Sequence, residues 1–293
     1  MKNDVREFYD TIGWSQVDEG GEDEPRFQNA RYEDLRPVSQ EYIHRCHLRV
    51  GRHLAPAGRF LLDAGSGPIQ YNEYLGYSQG YQYRVCADLS FTALVEARRK
   101  IGKHGLFVVA DIANLPFKKE VFDGVVTLHT IHHLPTGEHI AAYRGLLRVL
   151  APGRTAVVVN GWSTSRLMDP FRAFSRLRKR IWLLLRGLTG RRPTGKEEPA
   201  NQLTGQPANP KNTFVEKHDS RWFKRTVAKE MDATILVWRS ASVHFLKNYI
   251  FENRGGRRIL AWLYRLEERF PRFFGEHGTY PLIVIQKALK VEG

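Results

Sequence analysis

Three carboxylates, each closing an apolar run, carry the densest chemistry in this chain. Asp63 follows Phe60-Leu61-Leu62, Asp88 follows Tyr83-Arg84-Val85-Cys86-Ala87, and Asp111 follows Phe107-Val108-Val109-Ala110. Any one of them alone reads as a turn former or helix cap. Three in succession, at the ends of consecutive buried strands, stand where open parallel sheets place their ligands. Ala64, Gly65, Ser66 and Gly67 come directly after the first acid, and the two glycines let the backbone approach a ligand closely. Asp88 lies 25 residues past Asp63, about the spacing at which nucleotide-binding sheets set a carboxylate on a ribose. A fourth apolar run, from Phe122 to Leu128, ends at His129, with His132 and His133 close behind. A neutral imidazole with an unperturbed pKa of about 6.5 can take a proton from a hydroxyl, which makes His132 and His133 candidate bases and His218 a further one. Three histidines on one loop without cysteine or carboxylate partners do not read as a metal site, and none is expected.

The elements that must position these residues alternate strand and helix. Ser90 is placed to cap a helix that stops at Gly102, and Thr136 to cap another running to Leu150. Further strands are expected at Thr155 to Asn160, Thr234 to Trp238 and Pro281 to Lys287. This pattern predicts an α/β fold, a doubly wound, mostly parallel seven-stranded Rossmann-like sheet with helical additions. The expected divisions are an N-terminal helical cap (1–59), a cofactor-binding half (60–161), a basic helix with a mobile linker (162–213), and a C-terminal half of the sheet (214–293) with a helical insertion at 244–280.

A dinucleotide fingerprint would place its third glycine where Gln70 stands. The stretch from Asp63 to Ile69 instead resembles the D/E-x-G-x-G-x-G motif of class I S-adenosylmethionine-dependent methyltransferases, with Ile69 in place of the third glycine. Val85 to Ser90 resembles the family's ribose-binding motif, and Asp111-Ile112 with Leu115-Pro116-Phe117 its adenine-binding loop. The resemblance implies S-adenosylmethionine as cofactor, held by Asp63, Ala64, Gly65, Ser66, Gly67, Asp88, Leu89, Asp111, Ile112 and His129. Tyr9 and Trp14 are expected to close over it, because a cationic sulfur favours aromatic faces. The implied reaction is methyl transfer to a small-molecule or lipid-linked acceptor at oxygen; the alternatives are an RNA methyltransferase and a non-catalytic cofactor-binding protein.

Composition narrows the partners. Among 293 residues, 45 Lys and Arg against 31 Asp and Glu give a net charge of +14, which draws the chain to polyanions or anionic membranes. Nine of the basic residues and one acid lie between Arg166 and Arg192, on a stretch whose Leu167, Phe171, Phe174, Leu177, Ile181, Leu184, Leu185 and Leu188 recur at helical spacing. Such a helix either docks on the protein's own core or lies on anionic lipid. Nucleic acid is the less favoured partner: the loop after the fourth strand lacks an N/D-P-P-aromatic motif and no Pro-Cys is present to attack cytosine. Cys46 and Cys86 form no disulfide framework. With no apolar signal region or spanning stretch, a cytoplasmic protein in peripheral contact with membrane is expected.

Overall fold

Strands covered on both faces are apolar throughout, and residue parity sends neighbours to opposite sides of the sheet. In the computed structural model, which describes residues 6–14, 16–17, 26–27, 33–188 and 214–289, the central strand β1 (Gly58–Ala64) follows that rule. Leu62 and Ala64 enter one core while Leu61 enters the other, and all three are fully buried. The remaining strands are β2 (Tyr81–Asp88), β3 (Gly105–Val109), β4 (Gly124–Leu128), β5 (Thr155–Val159), β6 (Asp232–Arg239) and β7 (Tyr280–Gln286). They form one seven-stranded sheet in the order β3-β2-β1-β4-β5-β7-β6. β1 to β5 pair in parallel, and β7 runs antiparallel to both β5 and β6. The expected doubly wound sheet is the one observed.

The helices are α1 (Pro37–Leu48), α2 (Phe91–Ile101), α3 (His139–Val149), α4 (Asp169–Leu188), α5 (Ser220–Glu230), α6 (Val243–Tyr249), α7 (Gly256–Arg269) and α8 (Pro271–His277). One face of the sheet is covered by Ala142, Tyr143, Leu146 and Val149 of α3 with Phe223 and Val227 of α5. The other receives Leu94 and Ala97 of α2 with Tyr74 and Tyr77, from the chain between β1 and β2, and Tyr81 of β2. A third cluster joins Val38, Tyr42, Ile43 and Cys46 of α1 to Leu246 of α6 and Leu260 and Tyr264 of α7. The N-terminal helix and the late insertion therefore share a core.

The first helix, α1, ends at Leu48 and is followed by a 3₁₀ turn over Val50–His53. One boundary differs from expectation. Thr136 does not cap α3 but opens a 3₁₀ turn of its own, because its N–H is drawn to the Glu216 carboxylate at 2.7 Å. Ser90 does cap α2, accepting from the Ala93 N–H, and Gly102 ends that helix at φ 63°. The expected mobile linker, residues 189–213, and the acidic run at 18–24 lie outside the described residues. Among the described residues no helix is long and apolar enough to cross a membrane.

Candidate active site

The glycine turn after β1 has the backbone that its residue types predict. Gly65 and Gly67 sit at φ 74° and 54°, where side chains are disfavoured. A Cβ on Gly65 would meet the Thr130 side chain at 2.2 Å, and one on Gly67 would lie 3.0 Å from the Trp14 ring. Ile69 occupies the third glycine position at φ 55°, although a β-branched residue is strained there. Complete burial of the Ile69 side chain in the α2-side core offsets strain of about 1–3 kcal/mol. The departure in sequence thus retains the backbone conformation that glycine would favour.

Asp63 is tied to its own chain through one oxygen. Arg84, buried within β2, directs Nε and Nη2 at Asp63 Oδ2, the former at 3.1 Å. The Asp63 carboxylate therefore anchors the floor of the turn, a positioning role that the sequence reading did not give it. An arginine inside an apolar strand was the available signal, since a buried cation calls for an acid. Ala64 is buried beneath the turn, while the N–H groups of Gly65 and Ser66 bond back to the Ala87 carbonyl at 2.7 and 3.4 Å.

Asp88 is arranged differently. Its carboxylate accepts the Gly67 N–H at 2.8 Å and the Ser90 N–H at 2.9 Å, which leaves further lone pairs for a ligand. Burial is the largest influence on it and, with nearby Asp63 and Asp10, pushes its pKa up to about 6 against those two hydrogen bonds. Leu89, next in the chain, is half-buried. Asp111 accepts the Ala113 N–H at 2.9 Å, and Ile112 is built into the core against α3.

The N-terminal segment crosses this cleft. Asp10 is hydrogen-bonded to Ser90 beside Asp88, Trp14 lies over Gly67, and Tyr9 stacks on Trp14 with ring centroids 5.0 Å apart. Tyr9 also bonds His133 Nε2 at 2.9 Å. Since the Phe214 carbonyl can only accept, His133 Nδ1, 2.8 Å away, carries the proton and Nε2 accepts from Tyr9. Both nitrogens are occupied, and burial lowers the His133 pKa to about 4. His133 is therefore not available as the base that the sequence suggested.

His129, at φ 57°, turns its ring onto Trp238 and Tyr280, with centroids 4.9 and 5.6 Å away, and burial lowers its pKa to about 3. His132 Nδ1 lies 3.3 Å from Asn160 Oδ1 at the end of β5, and burial holds its ring neutral as well. His218 stacks flat on Trp222 at 3.5 Å. His132, Asn160 and Gly161 line a pocket with Glu216, Lys217 and His218 at the carboxyl ends of β4 and β5. Lys217 was not foreseen, because residues 189–213 separate it in sequence from the strands it reaches. Its Nζ would lie 3.0 Å from a Cβ on Gly161, and it has no hydrogen bond or ion pair among the described residues. Burial, and secondarily Arg172, lower the Lys217 pKa. Among the described residues no cluster suited to a metal is found.

The sequence profile of the methyltransferase domain matches residues 62–158, spanning β1 to β5 and every motif described above. The chain carries a class I S-adenosylmethionine-dependent methyltransferase domain. Geranyl diphosphate C-methyltransferase from Streptomyces coelicolor, 14% identical, shares the fold with a TM-score of 0.53 over 98% of both chains. A tRNA (carboxymethyluridine(34)-5-O)-methyltransferase of Arabidopsis thaliana is 27% identical over 147 residues, covering 44% of this chain and 34% of that protein. A malonyl-[acyl-carrier protein] O-methyltransferase of Legionella pneumophila is 34% identical over 103 residues, covering 34% of this chain and 36% of its own. The chain thus spans about a third of the length of these two relatives. The cleft of this methyltransferase domain fits its cofactor: glycines at positive φ remove Cβ atoms from the turn, Asp88 retains acceptor capacity for a ribose, and two stacked aromatics lie above.

Proposed function

We propose that the protein transfers a methyl group to an oxygen of a small-molecule or lipid-linked acceptor, and that this oxygen belongs to a carboxylate. The observation that carries the reading is the Lys217 ammonium, without a hydrogen bond or ion pair among the described residues, in the pocket that His132 and Asn160 line at the ends of β4 and β5. A hydroxyl acceptor would need a base; His133 has both nitrogens engaged, and burial disfavours the imidazolium that His132 would become on taking a proton. A carboxylate is already ionised at neutral pH and needs only orientation and exclusion of water. When bound along the glycine turn and Asp88, S-adenosylmethionine would supply an activated methyl group that an ionised carboxylate oxygen can accept without giving up a proton. Lys217 would hold the second carboxylate oxygen, Asn160 would fix the His132 ring, and Tyr9 and Trp14 would shield the cationic centre. The names of the two relatives support this reading, since carboxymethyl and malonyl groups both end in a carboxylate and both proteins are named as O-methyltransferases.

The tRNA-directed relative also supports a second reading, in which the carboxylate is carried by RNA. Labelled methyl transfer to a panel of fatty acids, dicarboxylic acids, malonyl carrier protein and tRNA bearing carboxymethyluridine tests both. A methyl ester is expected, released as methanol by mild alkali. Lys217→Met should raise the acceptor KM by about tenfold to a hundredfold, the effect of a charge-assisted hydrogen bond, with cofactor affinity unchanged. Alkali-stable label would exclude a carboxylate acceptor, and label on tRNA alone would favour the second reading.

A further inference from the structure

The sequence left α4 with two options, docking by its apolar stripe or lying on lipid. In the structure only the start of the stripe docks. Phe171 packs on Phe245 and Tyr249 of α6 at centroid distances of 4.7 and 5.2 Å, and Ser175, one turn later, bonds the Tyr249 hydroxyl at 2.7 Å. The next part of the stripe faces outward: Phe174, Leu177 and Ile181 are 57%, 54% and 48% exposed. Spaced by three and four residues, they form one ridge, flanked by the exposed Arg172, Arg176, Lys179 and Arg180.

A second feature lies against the same helix. Between α4 and α6 opens a cavity of ≈ 380 Å³, lined by Arg178, Lys247 and Arg254 together with Asn248, Asn253, Tyr249 and Phe251, and among the described residues no acid lines it. Three cations and two amides around one hollow suit an anionic group bearing several acceptor oxygens. An apolar ridge flanked by positive charge, next to a cationic hollow, has the complementarity of a surface that dips into acyl chains while gripping head groups.

We infer that α4 and the adjoining hollow dock the protein on an anionic phospholipid surface, with Phe174, Leu177 and Ile181 entering the acyl boundary and Arg178 and Arg254 taking a head-group phosphate. The inference is independent of the acceptor reading, because it requires neither cofactor nor acceptor. No described helix is long and apolar enough to cross the bilayer, so the helix lies in the plane of the interface. The surface would bring lipid-borne acceptors to the methyltransferase domain.

Sedimentation of the full chain with vesicles of phosphatidylcholine alone, or with a third phosphatidylglycerol, tests it. Binding to the anionic vesicles is expected, falling as salt rises, with little to neutral ones. The triple variant Phe174→Ser/Leu177→Ser/Ile181→Ser, all at exposed positions, should weaken binding by about tenfold or more. Arg178→Glu/Arg254→Glu should do the same, and both variants should retain cofactor affinity by calorimetry. Inorganic phosphate at matched ionic strength should not displace the protein from vesicles. Absence of vesicle binding at low salt, equal binding by the ridge variant, or displacement by inorganic phosphate would each overturn the proposal. So would tRNA binding that depends on these arginines while vesicle binding does not.

Discussion

Asp88 concentrates the consequences of burial in one side chain. Its carboxyl must be ionised to accept ribose hydroxyls, yet burial has moved its pKa up to about 6. Protonation therefore removes the charge-assisted acceptor as pH falls through that value. Cofactor affinity measured by calorimetry should be level above about pH 7 and decline by one proton's worth below pH 6. Asp88→Asn should flatten that profile and weaken binding by about 1.5–3 kcal/mol. A profile unchanged by the substitution would show that another group sets the limb. The histidines predict the complementary silence: with His129 and His133 lowered to about 3 and 4, no limb near pH 6.5 should belong to them.

The element whose position matters most for the cofactor is the short segment around Tyr9–Gly13. It is fastened over the cleft at three points, Asp10 to Ser90, Tyr9 to His133 and Trp14 over Gly67. Each contact is modest, and together they make the segment a cover. Tyr9→Phe removes one neutral hydrogen bond, worth about 0.5–1.5 kcal/mol, and should speed release of S-adenosylhomocysteine by about twofold to tenfold. Stopped-flow measurement of release checks this; an unchanged rate would mean that the segment does not hold the product.

At the scale of the whole molecule, α1 and the late insertion are joined through a buried ionic centre. Glu267 is fully buried, accepting from Arg49 at 2.9 Å, from the Tyr42 hydroxyl at 2.7 Å and from the Ser240 N–H at 2.9 Å. Arg49 also donates to the Trp238 carbonyl of β6 at 2.7 Å, which ties α1 to the sheet. Removing one partner strands a buried charge. Arg49→Met should lower unfolding free energy by about 3–5 kcal/mol in denaturant melts, and adding Glu267→Gln should recover part of that loss. A loss under about 1 kcal/mol in the single variant would show that the pair does not join the two ends of the chain.

Periodicity and local motif chemistry made the sheet, its parallel core and the glycine turn legible. Strands β1 to β5 are local apolar runs ending in turn residues, and the positive φ of Gly65 and Gly67 follows from their type. Which acids stand at or just beyond the strand ends was legible as well. The sequence did not determine what each acid does, because that depends on who arrives from elsewhere: Arg84 claims Asp63, while Asp88 keeps room for a ligand. Lys217 reaches the ends of β4 and β5 across residues 189–213, and His133 loses its free nitrogen to Tyr9, 124 residues away. The face on which α4 docks was likewise undetermined, since periodicity identifies an apolar stripe but not whether another element covers it. Contacts between residues distant in sequence leave no periodic trace, so only tertiary packing decides them.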